Sequence, residues 1–113
     1  MAFPGMMGPP LDLSPSAFVA QRDAEAPVLD VRTPDEFAGG HLAGAVNVDV
    51  YAPDFLDRIR AMDLPAAAPV YLYCHSGARS GMAAQALRQL GHAGAANVGG
   101  LGPLVAAGAE VGE

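Results

Sequence analysis

The chain alternates between short apolar runs and segments in which apolar residues recur every three or four positions. Four runs have the length and composition of buried strands: 28–31, 46–48, 70–73 and 95–98. In the segment after the second run, Phe55, Ile59 and Met62 share one face of a helix. Strands that alternate with helices predict an α/β fold with a mainly parallel sheet.

Capping residues and glycines mark where the predicted helices begin and end. Ser14 and Thr33 each stand directly before a proline, which is the pattern of a helix start. Glu36 lies three residues after Thr33 and completes a capping box. Gly39 ends this second helix after little more than one turn, and Gly91 ends the helix predicted over 80–90.

The length of the chain, 113 residues, suits one domain with one hydrophobic core. Residues 1–10 are rich in Gly, Pro and Met and predict a flexible N-terminal arm. Residues 11–108 form the domain, which opens with an edge strand at 11–13 and closes with a short helix at 103–107, and residues 109–113 form a C-terminal tail. The sequence shows neither a signal peptide nor an apolar run near the roughly 18 residues of a membrane span, so we expect a cytoplasmic protein.

The composition narrows the classes of partner. The net charge is −6, from six Arg, no Lys and twelve acidic residues, which is the opposite of the basic surface that binds nucleic acids or anionic membranes. We therefore expect neither partner. The chain contains one cysteine, which excludes an intramolecular disulfide framework and zinc sites of the multi-cysteine kind.

That cysteine, Cys74, lies between the predicted strand 70–73 and the predicted helix 80–90. In α/β folds this is where ligands bind, because backbone N–H groups of the loop and the helix N-terminus converge on anions there. Arg79 adds a full positive charge with a planar fork, and the hydroxyls of Ser76 and Ser80 can donate hydrogen bonds to the thiolate or to a bound anion. We therefore expect the pKa of Cys74 to lie below the usual ~8.5, which favours the nucleophilic thiolate.

Several stretches of the chain together resemble a known family. They are the loop Cys-His-Ser-Gly-Ala-Arg-Ser at 74–80, the segments 29–37 and 40–47, and the glycine pair 99–100. The loop at 74–80 is similar to the active-site loop of rhodanese-like sulfurtransferases. The segments 29–37 and 40–47 are similar to that family's other hallmark, and the glycine pair is similar to the turn that closes its domain. The resemblance runs over about 11–108. It implies a rhodanese-like three-layer sandwich with a mainly parallel central sheet flanked by helices.

The resemblance also implies a reaction. The Cys74 thiolate would attack the outer sulfur of thiosulfate or another persulfide donor, become a persulfide, and pass the sulfur to cyanide or a thiol in ping-pong kinetics. No metal and no cofactor is implied. The partners implied are a small anionic sulfur donor, a thiol or cyanide acceptor and a sulfur-carrier protein, and we expect a monomer or weak homodimer.

The site residues follow from the same resemblance and from the local pattern. The loop residues are expected to bind substrate: His75, Ser76, Gly77, Ala78, Arg79 and Ser80. Four further residues are expected to support the site structurally: Asp30, Arg32, Glu36 and His41. His75 stands where the family commonly has Arg, so the loop has one fixed positive charge and a sulfur donor other than thiosulfate is left open.

Three other functions fit parts of the loop. Cysteine-dependent phosphatases also place Arg after Cys, but five residues intervene in their loop, whereas four separate Cys74 from Arg79. A phosphatase is therefore disfavoured. A binding or regulatory module that kept the fold is an alternative, and so is a redox sensor in which Cys74 is oxidised. The sensor needs a partner thiol, because the chain has no second cysteine.

Overall fold

A four-stranded parallel sheet forms the centre of the computed structural model, which describes residues 10–112. The arm predicted at 1–10 lies outside the described residues apart from Pro10. Along the described part of the chain the strands are β1 (Val28–Asp30), β2 (His41–Leu42), β3 (Val46–Asn47), β4 (Val70–Cys74), β5 (Ala95–Gly100) and β6 (Val111–Gly112). The central sheet has the order β3-β1-β4-β5 with all pairings parallel. The four strands predicted from apolar runs are confirmed to within two residues.

Helices cover both faces of this sheet. They are α1 (Pro15–Gln21), α2 (Pro34–Ala38), α3 (Phe55–Ala61), α4 (Ala78–Gln89) and α5 (Leu101–Ala106). Buried residues of α3 and α4 pack on one face, and buried residues of α1 and α5 pack on the other. The three-layer α/β sandwich predicted from the sequence is therefore confirmed.

The central strand β4 is buried along its whole length, as expected for a parallel strand covered on both faces. Its side chains alternate between the two layers, since Leu72 and Cys74 join the core under α3 and α4 while Tyr71 and Tyr73 join the core under α1 and α5. This alternation points the thiol of Cys74 toward the start of α4.

The helix caps form as the local sequence dictates. The Ser14 hydroxyl accepts from the N–H of Ala17 at 3.1 Å, and Thr33 with Glu36 forms a complete capping box. Helix α4 begins two residues before the predicted start, directly after Gly77, whose φ of 101° lies in the left-handed region that favours glycine.

Two short structures differ from the sequence-based expectations. The edge strand expected at 11–13 is a single parallel bridge between Asp12 and Asn97. Within the predicted tail, β6 pairs antiparallel with β2, and a Cβ at Gly112 would lie 2.7 Å from Ala43 Cα, so only glycine fits this close approach. Neither β2, with the sequence His-Leu, nor β6, with the sequence Val-Gly, forms an apolar run, so the sequence pattern does not predict this pair of strands. None of the helices within 10–112 has the length and hydropathy needed to cross a membrane.

Candidate active site

Cys74 is the last residue of the central strand β4, and its side chain is fully buried beneath the loop that leads into α4. His75 and Ser76, the next two residues, are exposed, and Ser80 in the first turn of α4 is buried. The site therefore places a buried sulfur directly behind a solvent-facing loop, at the edge of the sheet where α/β folds bind ligands.

The sulfur of Cys74 is surrounded by hydrogen-bond donors. The N–H of Gly77 donates to Cys74 Sγ over 3.0 Å, and Ser80 Oγ lies 3.3 Å from it. The left-handed backbone of Gly77 brings its N–H back onto the preceding strand end, which a residue with a Cβ adopts only with strain. The loop thus forms part of a nest of donors around one sulfur atom.

These contacts lower the pKa of the Cys74 thiol. Burial raises the pKa of Cys74, but hydrogen bonds from the Ser80 hydroxyl and from the N–H groups of Ser80, Gly77 and Ser76 outweigh it, and the pKa is lowered. Hydrogen bonds to a charged form favour that form, so the site stabilises the thiolate relative to that of an ordinary cysteine. This lowering of the pKa agrees with the direction expected from the sequence. It is caused mainly by hydrogen-bond donors rather than by a neighbouring cation.

Arg79 and Glu36 form an ion pair next to this loop. Arg79 Nη1 and Nη2 donate to Glu36 Oε1 and Oε2 at 2.7 and 2.9 Å, a bidentate arrangement. The hydrogen bond from Arg79, with that from the Thr33 N–H, lowers the pKa of Glu36 to about 2, and Glu36 in turn raises the pKa of Arg79. The sequence assigns Arg79 to the sulfur donor and Glu36 to a helix cap, whereas the structure pairs these two side chains.

Asp30 and Arg32 form a second ion pair, which is buried. Arg32 Nη2 lies 2.6 Å from Asp30 Oδ2, and Arg32 Nε donates to Oδ1 at 2.9 Å. The Tyr73 hydroxyl donates to the same Asp30 Oδ2 at 2.8 Å and accepts from the Leu42 N–H at 2.9 Å. Because Tyr73 precedes Cys74, this network anchors the end of β4 from the face opposite the sulfur.

His41 makes its contacts away from the Cys74 loop. Its Nδ1 lies 2.9 Å from the carbonyl oxygen of Phe37, and the two rings stack with centroids 3.7 Å apart. His75, in contrast, is exposed and directly follows Cys74 in the chain. Its carbonyl oxygen would lie 2.2 Å from a Cβ at Gly100, so the glycine at this position lets β5 approach the loop.

Asn97, in the middle of β5, was not identified as a site residue from the sequence. Its Oδ1 accepts from Ser80 Oγ at 2.7 Å and from the Gly99 N–H at 3.1 Å. Its Nδ2 donates to the Gly77 carbonyl oxygen and to Asp12 Oδ1, each at 3.1 Å. A carboxamide within an otherwise apolar strand run was the signal that could have found it, since an amide placed in such a strand requires partners.

Comparison with known proteins gives the family. Residues 14–101 match the model of the rhodanese-like domain. The uncharacterized protein YqhL of Bacillus subtilis is 45% identical over 67 residues, and thiosulfate sulfurtransferase PspE of Escherichia coli is 32% identical over 73 residues. These matches cover 59% and 65% of this chain, and they span 50% of YqhL and 68% of PspE.

A solved structure agrees with the sequence matches. The crystal structure of a rhodanese-related protein from Thermoplasma volcanium superposes with a TM-score of 0.70 at 26% identity, covering 88% of this chain and 95% of that one. The family resemblance carried by the Cys74 loop and the other segments is thereby confirmed. The chain belongs to the family of rhodanese-like domains.

Proposed function

We propose that the protein is a sulfurtransferase that carries a sulfane sulfur as a persulfide on Cys74. The observation that carries this proposal is the buried Sγ at the end of β4, faced by the Gly77 N–H at 3.0 Å and Ser80 Oγ at 3.3 Å. Donors in this arrangement stabilise an anionic sulfur, which is the form that attacks. The name of the relative PspE, thiosulfate sulfurtransferase, supports the reaction class.

The proposed reaction has two halves. In the first, the Cys74 thiolate attacks the outer sulfur of the donor, the new S–S bond forms, and the donor's S–S bond breaks with its electron pair leaving on sulfite when the donor is thiosulfate. In the second, an acceptor thiolate or cyanide attacks the terminal sulfur and the electron pair returns to Sγ. The N–H groups of the loop hold the negative charge on sulfur during both halves.

The charges around the loop bear on the choice of donor. The positive charge of Arg79 is matched by Glu36, whose two oxygens accept from it at 2.7 and 2.9 Å. Anion binding therefore depends largely on backbone N–H groups and Ser80. This favours a donor with little charge, such as an alkyl or protein persulfide, over the thiosulfate dianion.

The test is sulfur loading followed by intact-mass spectrometry. The protein is incubated with thiosulfate and, separately, with an alkyl persulfide, and we expect the mass of one sulfur atom to be added and then removed by cyanide. Cys74→Ser is the matched control, because it keeps a polar side chain of similar shape and removes the only thiol. Absence of sulfur loading from both donors, or loading of Cys74→Ser, would refute the proposal.

The same thiol separates the two alternative functions. A redox sensor would react with hydrogen peroxide to a sulfenic acid faster than it accepts sulfur, and a binding module would do neither at a useful rate. Measuring both rates on one preparation distinguishes the three functions. The acceptor, including a sulfur-carrier protein, is part of the proposal and is tested by transfer from the loaded protein.

A further inference from the structure

The hydroxyl of Ser80 has two acceptors within reach and one hydrogen to give. Ser80 Oγ lies 3.3 Å from Cys74 Sγ and 2.7 Å from Asn97 Oδ1. A serine hydroxyl carries a single hydrogen, so it cannot donate to both atoms at once. Cys74 and Ser80 are fully buried and Asn97 is half-buried, so bulk water does not readily replace the contact between Ser80 and the sulfur.

The orientation of the Asn97 amide follows from its other neighbours. Its Nδ2 faces the Gly77 carbonyl oxygen and Asp12 Oδ1, and its Oδ1 faces the N–H of Gly99, all at 3.1 Å. If the amide were flipped, its oxygen would face the Gly77 carbonyl oxygen and Asp12 Oδ1, and its NH₂ group would face the N–H of Gly99. Asn97 therefore presents an acceptor to Ser80 and not a donor.

We propose that Asn97 is a positioning residue that competes with Cys74 for the hydroxyl hydrogen of Ser80. In the thiol form, the S–H of Cys74 donates to Ser80 Oγ and the hydroxyl donates to Asn97. When the thiol proton leaves to solvent, the hydroxyl turns and donates to the thiolate, while Asn97 Oδ1 keeps the N–H of Gly99. The inference rests on the proposed function in one respect, that the thiolate of Cys74 is the attacking form.

The competition assigns Asn97 an effect opposite to that of the loop donors. The N–H groups stabilise the thiolate, whereas Asn97 stabilises the thiol by occupying the hydroxyl that the thiolate needs. A persulfide places its charge on the terminal sulfur and leaves Sγ a weak acceptor, so the hydroxyl then returns to Asn97. Ser80 thus changes partner with each half of the reaction.

The test is a double-mutant cycle on the pKa of Cys74. The alkylation rate with iodoacetamide is measured against pH for wild type, Asn97→Ala, Ser80→Ala and the double variant. We expect Asn97→Ala to shift the pKa downward by about half to one unit more in the wild-type background than in the Ser80→Ala background, the size of one hydrogen bond. Asn97→Ala also removes the hydrogen bond to the Gly77 carbonyl oxygen, but the effect of that loss on the pKa is present in both backgrounds and cancels in the comparison. An equal shift in both backgrounds, or a shift of opposite sign, overturns the proposal.

A second measurement observes the thiol proton directly. Because Cys74 is the only cysteine, the infrared S–H stretch recorded at a pH below the pKa of Cys74 is a single band, and we expect it to move to higher wavenumber in Ser80→Ala. An unmoved band overturns the proposal. Circular dichroism verifies folding, and Asn97→Leu replaces any Asn97→Ala protein that fails to fold. Neither measurement needs a sulfur donor, so each outcome is independent of whether sulfur transfer is found.

Discussion

Replacing Glu36 by glutamine removes the negative charge that balances Arg79 and leaves the size of the side chain almost unchanged. In the wild type the two side chains share hydrogen bonds of 2.7 and 2.9 Å, and Glu36 Oε1 also accepts from the N–H of Thr33 at 3.1 Å. The amide oxygen of glutamine can keep the contact to Thr33, as in other capping boxes. Glu36→Gln therefore changes the charge beside the loop and preserves the helix start.

The two expected effects differ in size. The Glu36 side chain is 34% exposed, so solvent screens the pair, and we expect the variant to lose about 1 kcal/mol of unfolding free energy. Thiosulfate carries two negative charges and gains an unbalanced Arg79, so we expect its KM to fall by about tenfold, the equivalent of ~1.4 kcal/mol in binding. An alkyl persulfide carries at most one negative charge, half that of thiosulfate, so we expect its KM to fall by about threefold or less.

The assay is steady-state sulfur transfer to cyanide from each donor, at low and at high salt. The gain for thiosulfate should shrink as salt screens the charges. Glu25→Gln is the matched control, because it removes the same charge from an exposed residue that precedes β1, at the sheet edge opposite Cys74. A KM for thiosulfate that is unchanged or higher in Glu36→Gln would refute the argument that the ion pair limits anionic donors.

Three other variants and conditions probe the neighbouring contacts. Asp30→Asn leaves Arg32 buried without its counter-charge and should lower the unfolding free energy by about 3 kcal/mol or more in urea titration; a loss below ~1 kcal/mol would contradict this. Gly100→Ala brings a Cβ to 2.2 Å from the His75 carbonyl oxygen, so we expect the unfolding free energy to fall by at least ~2 kcal/mol and the thiol to be alkylated more slowly. Gly102→Ala is the control: its Cβ would meet open space, so its unfolding free energy should stay within about 1 kcal/mol of wild type. The pKa of Glu36 is about 2 in the folded protein against an ordinary 4.5, so the ionised side chain stabilises the fold above pH 4.5 and this contribution is lost as the pH falls toward 2. Between pH 5 and 2.5, the unfolding free energy measured with urea should therefore decline less in Glu36→Gln than in wild type.

What the sequence predicted well depends on contacts between near neighbours in the chain. The capping box joins Thr33 to Glu36 across three residues, and the apolar run of β4 reflects burial on both faces, so both are written in local sequence. The loop that begins at Cys74 is likewise one continuous stretch. These features needed no knowledge of which distant residues come together.

What the sequence did not predict depends on long-range contacts between side chains. Arg79 meets Glu36 across 43 residues, and Ser80 meets Asn97 across 17. The sequence shows the charge of Arg79 and its position after Cys74 but not its partner, so it predicts a contact with the sulfur donor. The sequence does not predict the contacts of Asn97, because strand periodicity assigns a residue to a face of the sheet and does not show what that face touches.

The end of β4 links these contacts into one arrangement around the sulfur. Tyr73 points into one layer, where its hydroxyl bonds Asp30 at 2.8 Å, and Cys74 points into the other, where its sulfur meets Gly77 and Ser80. Adjacent residues on opposite faces cannot move independently, because one rigid strand carries both side chains. The buried ion pair of Asp30 therefore acts on Cys74 without touching it, by fixing the strand end from which the sulfur faces its hydrogen-bond donors.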